Sequence, residues 1–273
     1  MLFSNAKTVR IYAVVSSILI ILGSFLLFYS LSPPTADDGG SPSDSIFISV
    51  GSTQWTCYVT MSNLLLRQKV VTRVSGSWTI PAVNTSQDNV YSAVWVGIGG
   101  YGESSLIQTG TLQGIRDGEM IYYAWYELLP NTAVRIHTLH VEPGDKMAAS
   151  VTQVDENKNL WLVEIHDLTK GESYSRNFGY SSSRLSAEWI VERPSISGKI
   201  TTLADFGSAT FTDCQATINY ITGTINTYPG YKLVMYSDEA KLVGVSQLSP
   251  DGSSFTIDYL GPTGNQPHST SSQ

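Results

Sequence analysis

Ala187-Glu188-Trp189-Ile190-Val191-Glu192 carries the decisive pattern of this chain: a short run of β-branched and aromatic residues with acids at alternate positions. At period two, Ala187, Trp189 and Val191 point to one side of a strand, and Glu188, Ile190 and Glu192 to the other. The same alternation recurs outward from it. Val94, Val96 and Ile98 form an apolar face opposite Trp95, Gly97 and Gly99; Tyr123, Trp125 and Glu127 share a face; Gln108 falls on the side of Leu106. Further runs of this type are Gly76 to Ile80, Lys146 to Val154, Trp161 to Asp167 and Ser254 to Tyr259, broken by Gly, Pro, Asn or Asp. No amphipathic helix of useful length occurs after residue 31. Many short strands at this spacing predict an all-β sandwich of two antiparallel sheets. If the strand faces coincide in one sheet, Trp95, Gln108, Tyr123, Trp125, Glu127 and Glu192 line a common groove.

Ile11 to Leu31 is an almost uninterrupted apolar run preceded by Lys7 and Arg10. It is long enough to span a bilayer, and longer than the apolar part of most cleaved signals, roughly 7 to 15 residues. Residues 1–32 therefore read as an N-terminal transmembrane helix or, if cleaved, a signal segment, and the basic flank places the chain beyond residue 31 outside the cytoplasm. The expected localisation is extracytoplasmic, either anchored by residues 11–31 or secreted after cleavage. Residues 33–46, rich in Pro, Gly, Ser and Asp, read as a flexible linker. Residues 47–261 form one β-sandwich domain, and residues 262–273 read as a disordered polar tail.

Charged residues are 14% of the chain, against about 25% in an average soluble protein. Lys plus Arg number 16 beside 23 Asp plus Glu. A small basic complement limits self-repulsion once carboxylates protonate, which suits an acidic medium as well as it suits a Ser/Thr-rich secreted domain. The acidic balance argues against a nucleic-acid partner. Cys57 and Cys214, far apart in an exported chain, allow one disulfide or two buried thiols.

Several motif matches lack their context. Gly97-Ile-Gly99-Gly-Tyr-Gly102 has the dinucleotide spacing without a helix after it. His137 and His140, three apart on an expected strand, face opposite ways and do not suit a shared metal. Gln108-Thr-Gly resembles the Asp-Thr-Gly of aspartic peptidases, but the two Asp turns of that dyad are absent. No Ser-His-Asp nucleophile motif is visible.

Trp95-Val-Gly-Ile-Gly-Gly, Leu106-Ile-Gln108-Thr-Gly110, Tyr122-Tyr-Ala-Trp125-Tyr-Glu127 and Ala187-Glu-Trp-Ile-Val-Glu192 occur in the order found in the glutamic peptidases, the eqolisin family, which the chain resembles. The likeness runs from Trp55 and Ser75-Gly-Ser-Trp-Thr-Ile-Pro81 to Phe211-Thr-Asp-Cys214. It implies a concanavalin/lectin-like sandwich of two curved sheets, with a catalytic Gln at Gln108 and a catalytic Glu at Glu192 on one concave face. It also implies a groove tryptophan at Trp95, a supporting glutamate at Glu127, and substrate contacts from Tyr123 and Trp125. The activity implied is acid endopeptidase action on proteins or peptides, by a monomer, with no metal or cofactor. The chain departs from the family at Gly99 and Tyr123, where acids are usual, and lacks the long propeptide of fungal members.

Peptide hydrolysis needs a base for water, a donor for the developing oxyanion and an acid for the leaving nitrogen. A carboxylate of ordinary pKa, about 4.3, at Glu192 would supply base and acid, and the neutral amide of Gln108 the donor. Two other classes use the same residues: a non-catalytic, lectin-like module binding glycan or peptide in an aromatic groove, and a glycosidase whose carboxylate pair is Glu127 and Glu192. Trp95 and Trp125 also read as packing aromatics, and Glu192 as a strand-end charge.

Overall fold

The structure, a computed structural model, describes residues 47–66, 68–238 and 240–262. The expected anchor, the whole linker and nearly all of the tail lie outside those residues. Two large sheets pack face to face, and a two-residue pair, Ser195–Ile196 with Lys199–Ile200, stands apart. The larger sheet has ten strands. Its main path runs Phe47–Ser52, Gly230–Ser237, Trp55–Thr60, Ala187–Glu192, Val90–Gly99, Leu106–Arg116, Glu119–Leu128, Val134–Arg135. The eight-stranded sheet runs Glu172–Gly179, Leu160–Asp167, Lys146–Asp155, Val71–Thr79, Ser208–Ile218, Phe255–Tyr259, Val243–Val245. Every run read as a strand from its alternation is one. The sole helical element among the described residues is a 3-10 turn at Ile225–Thr227.

The pairing is antiparallel except at two places in the larger sheet. Phe47–Ser52 runs parallel to Gly230–Ser237, and Thr202–Leu203 parallel to the start of Val90–Gly99. Both parallel strands arrive through long connections, which sequence alternation does not report.

The core between the sheets takes Val94, Val96 and Ile98 from one strand and Ala187, Trp189 and Val191 from another, as period two requires. Trp78, Trp161, Phe206 and Phe211 close it from the other side. Each such large apolar side chain stabilises the fold by roughly 1.5–3 kcal/mol. A second apolar cluster lies on the opposite face of the larger sheet and includes Cys57, Val59, Trp95, Leu106, Leu112, Trp125, Ile190 and Leu233. The Val90–Gly99 strand, apolar on both faces, is buried at every residue.

Two expectations resolve here. Cys57 belongs to the outer cluster of the larger sheet and Cys214 to the inter-sheet core, so a β-sheet separates them and both remain buried free thiols. His137 lies in a turn and His140 in a loop, not on a strand, because the chain leaves the edge strand Val134–Arg135 just before them. No cluster of three metal-ligating side chains exists among the described residues.

Candidate active site

Strand register brings all six expected site residues onto the outer face of the larger sheet, in three successive rows. The first row is Glu188, Gly97, Gln108, Glu127, because Glu188 pairs with Gly97, Gly97 with Gln108 and Gln108 with Glu127. Two residues along, Ile190, Trp95, Gly110 and Trp125 are paired in the same manner. The third row is Trp55, Glu192, Ala93, Leu112, Tyr123. Leu64, Tyr101, Leu129, Ala133 and Ile196 pack against this face from outside the main strands, and Tyr231 packs on it from the neighbouring Gly230–Ser237 strand.

At about 3.3 Å per residue, the Gln108 and Glu192 rows are roughly 13 Å apart at the backbone. The indole of Trp95 spans that interval. Its Nε1 donates to Glu192 Oε2 at 2.8 Å. Its far edge lies over Gly97: a Cβ on Gly97 would sit 2.9 Å from Trp95 Cζ3 and 3.1 Å from Gln108 Cβ. Gly110, opposite Trp95, leaves no more room, since a Cβ there would be 2.4 Å from Trp95 Cβ and 2.2 Å from the carbonyl oxygen of Val94. Glycine at 97 and 110 is thus a packing requirement for the indole.

Gln108 Nε2 donates to Glu127 Oε2 at 2.6 Å, and both residues are buried. Gln108 Oε1 is buried with no hydrogen-bond partner, as is Trp125 Nε1. A buried polar atom left unpaired costs stability unless another polar group meets it.

Both carboxyls are shifted upward. Burial, then the charge of Glu192, push the Glu127 pKa from 4.5 to about 8, against hydrogen bonds from Gln108 and the Ala133 N–H. Burial pushes Glu192 to about 7, against hydrogen bonds from Trp95 and Trp55. Burial thus moves Glu192 above the ordinary carboxylate range expected from sequence. In acid both groups are neutral carboxylic acids.

Tyr123 takes part in the third row, and Arg135 stacks over its ring at 5.0 Å. Burial raises its phenol to about 12, opposed by Arg116 and Arg135. Gly99 has φ +85°, and a Cβ there would lie 2.5 Å from the Ser105 carbonyl. An acid at 99 is therefore incompatible with this backbone, and the carboxyl of Glu103, hydrogen-bonded to Ser183, lies 3.3 Å from that Cβ position.

Trp55 and Glu188 were not singled out by the sequence. Trp55 pairs with Glu192, hydrogen-bonds its carboxyl and meets Trp95 edge-on at 5.1 Å. Glu188, fully buried beside Gly97, is bonded to the Ser186 hydroxyl at 2.5 Å. Period two put Glu188 on this face, but only register puts it level with Gln108. A separate cavity of about 330 Å³ on the outer face of the smaller sheet is lined by Arg73, Ser75, Ser150, Glu164, His166 and Gln215 among others, and none of the six residues borders it.

The model of the peptidase A4 family matches residues 53–259. Aspergillopepsin-2 of Aspergillus niger is 30% identical over 213 residues, 69% of this chain and 73% of that protein. Among solved structures, aspergilloglutamic peptidase from Aspergillus niger is 29% identical with a TM-score of 0.56, covering 62% of this chain and 99% of that one. Scytalido-glutamic peptidase with a transition state analog inhibitor shares the fold at a TM-score of 0.64 and 21% identity, covering 76% and 98% of the two chains.

Proposed function

The chain belongs to the peptidase A4 family and is a glutamic-type endopeptidase, and on that premise we propose that it cleaves proteins or peptides in acid, outside the cytoplasm, through Glu192 and Gln108. The observation that carries this reading is that Gln108 and Glu192 lie on one face of the sheet, the amide held by the Glu127 carboxyl and Glu192 by the Trp95 indole.

In acid Glu192 is neutral, and a carboxylic acid accepts on one oxygen while it donates from the other. The Trp95 N–H keeps Oε2 an acceptor and leaves the acid proton on Oε1. Water adds to the scissile carbonyl carbon; its proton passes to Oε2 as the Oε1 proton passes to the carbonyl oxygen, giving a neutral tetrahedral diol. The C–N bond then breaks as Glu192 protonates the nitrogen and takes back a proton from a diol hydroxyl. Glu192 ends as it began.

Gln108 works on the charge that develops at the carbonyl oxygen. One Nε2 proton is given to Glu127, and the other is left for that oxygen. Its unpartnered Oε1 can accept a hydrogen bond from the attacking water. Glu127, protonated below its pKa of about 8, holds the amide without adding a second negative charge. The free Trp125 N–H suits a substrate carbonyl.

Glu192→Gln should abolish cleavage of a denatured protein at about pH 3, and Gln108→Ala should lower kcat roughly 10²–10³-fold, as loss of an oxyanion donor does. A Gln108→Ala enzyme of near-normal activity would remove the amide from the mechanism and favour a chemistry of two carboxyls. Full binding of peptide without any cleavage by the unaltered protein would instead make it a binding module.

A further inference from the structure

One end of the sandwich gathers exposed apolar side chains, alongside the ion pairs Lys158–Asp155 and Arg184–Glu156 at its rim. Of the ten large hydrophobic side chains exposed among the described residues, Ile48, Leu65, Leu66, Val154, Tyr220 and Ile221 gather there, with exposures of 51, 90, 65, 47, 85 and 60%. The pairings place them together. Phe47 and Thr60 are both paired with Gly230, so the chain enters the domain beside the loop carrying Leu65 and Leu66. That loop leads into the strand starting at Val71, which pairs with Ile218. The Asn219-Tyr220 turn is tied to it by a 3.0 Å bond from the Asn219 N–H to the Val70 carbonyl.

The leucine tip is also held out in a fixed shape. The Asn63 Oδ1 accepts from the N–H groups of Leu65 and Leu66 at 2.8 and 3.0 Å, and Lys69 stands exposed beside them. By contrast Met120, near the start of the Glu119–Leu128 strand, and Leu168, in a turn, sit singly at the opposite end, as isolated exposed apolar residues commonly do.

We propose that this end of the domain lies against the phospholipid bilayer, with Leu65, Leu66, Tyr220 and Ile221 sunk in its interface. Two independent facts choose a lipid surface over a soluble partner. The sequence carries a bilayer-length apolar run at residues 11–31, and the fifteen residues from 32 to 46 reach at most about 50 Å. They join the sandwich at Phe47, on the apolar end itself. An exposed Tyr beside aliphatic side chains with a nearby Lys is also the chemistry of an interfacial anchor. Docked this way, the domain holds its Gln108 row nearer the membrane than its Glu192 row, because Gly97 is closer than Ala93 to the Ile98–Ala187–Thr60 end of the sheet.

The test uses the full chain in phosphatidylcholine vesicles with quencher-bearing acyl chains. Cys57 and Cys214 are buried, so a fluorophore can be placed on Leu66→Cys or, separately, on Glu119→Cys at the far end. The label at 66 should be quenched at least about threefold more than that at 119, as for a side chain roughly 5–10 Å into the interface. Serine at Tyr220 and Ile221 should weaken the quenching at 66, and Tyr220→Cys provides a second label site should Leu66→Cys fail to fold. Equal quenching at 66 and 119, or full chain that stays in solution, would overturn the proposal. Shielding at 66 that grows with protein density and not with quencher would assign this end to a second copy and overturn it too.

Discussion

Trp95 Nε1 lies 2.8 Å from Glu192 Oε2 while the other edge of the same indole rests over Gly97, beside Gln108. One rigid ring therefore sets the spacing between the amide and the carboxyl. Trp95→Phe keeps much of the apolar packing and removes the N–H. A hydrogen bond to a charged or charge-developing group is worth about 1.5–3 kcal/mol, so kcat should fall roughly 10- to 100-fold. KM and thermal midpoint should change far less; a large fall in the midpoint with unchanged kcat would make Trp95 only a packing residue.

The pH dependence of cleavage has a definite sign. If Glu192 works as a neutral acid, kcat/KM should be high in acid and decline as pH rises through about 7, where Glu192 ionises, and further through about 8, where Glu127 does. A carboxylate base at Glu192 would give the reverse limb, with activity rising towards pH 7. Rate profiles between about pH 2 and 9 separate the two. Trp95→Phe removes a bond that lowers the Glu192 pKa, so its decline should move to higher pH.

Stability should track the same two groups. Both have folded pKa values above the ordinary 4.5, so the folded state binds more protons than the unfolded one between about 4.5 and 8. Their stabilisation is complete below about pH 4.5 and is lost as pH rises through 7 to 8. Asp145 works in the other direction: burial raises it, but the Lys170 ammonium at 2.8 Å and the Glu142 N–H hold it below its ordinary value, and that stabilisation fades in stronger acid. The thermal midpoint should therefore peak near pH 4 to 5 and drop by roughly 5 °C or more by pH 8. Glu127→Gln should flatten the drop; an unchanged profile would mean that Glu127 is not held protonated.

Much of this was legible in the residues. Alternation identified Ala187–Glu192, Val90–Gly99 and Glu119–Leu128 as strands and put Glu192, Trp95, Trp125 and Glu127 on the side away from the core, because a side-chain period of two leaves no third choice. Which strands are neighbours was not legible. Ala187–Glu192 lies between Trp55–Thr60 and Val90–Gly99, and neither is adjacent to it in sequence. Trp55 and Glu188 consequently escaped notice as site residues, and the parallel edge strand Phe47–Ser52 did too. The upward shift at Glu192 is not legible either, because it comes from burial that the fold creates, partly offset by hydrogen bonds from two indoles on other strands. The Gly99 departure from the family was visible as a missing acid. Its cause, a left-handed backbone pressed against Ser105, was not.

Gly97 and Gly110 test whether the indole position matters more than its presence. At Gly110 an added methyl would meet the Val94 carbonyl at 2.2 Å and Trp95 Cβ at 2.4 Å, and a strand backbone cannot easily move aside inside a sheet. Gly110→Ala should destabilise the fold by about 1–3 kcal/mol or more and displace Trp95. At Gly97 the nearest atoms, Trp95 Cζ3, Leu106 Cδ1 and Gln108 Cβ at 2.9 to 3.1 Å, all belong to side chains that can shift by a few tenths of an ångström. Gly97→Ala should therefore cost less stability and still tilt the indole away from Glu192. Its expected signature is a kcat loss of about tenfold or more with the thermal midpoint largely kept, since small misplacements of reacting groups are costly. Equal kcat in Gly97→Ala and the unaltered enzyme would show that the spacing set by Trp95 is not needed for cleavage.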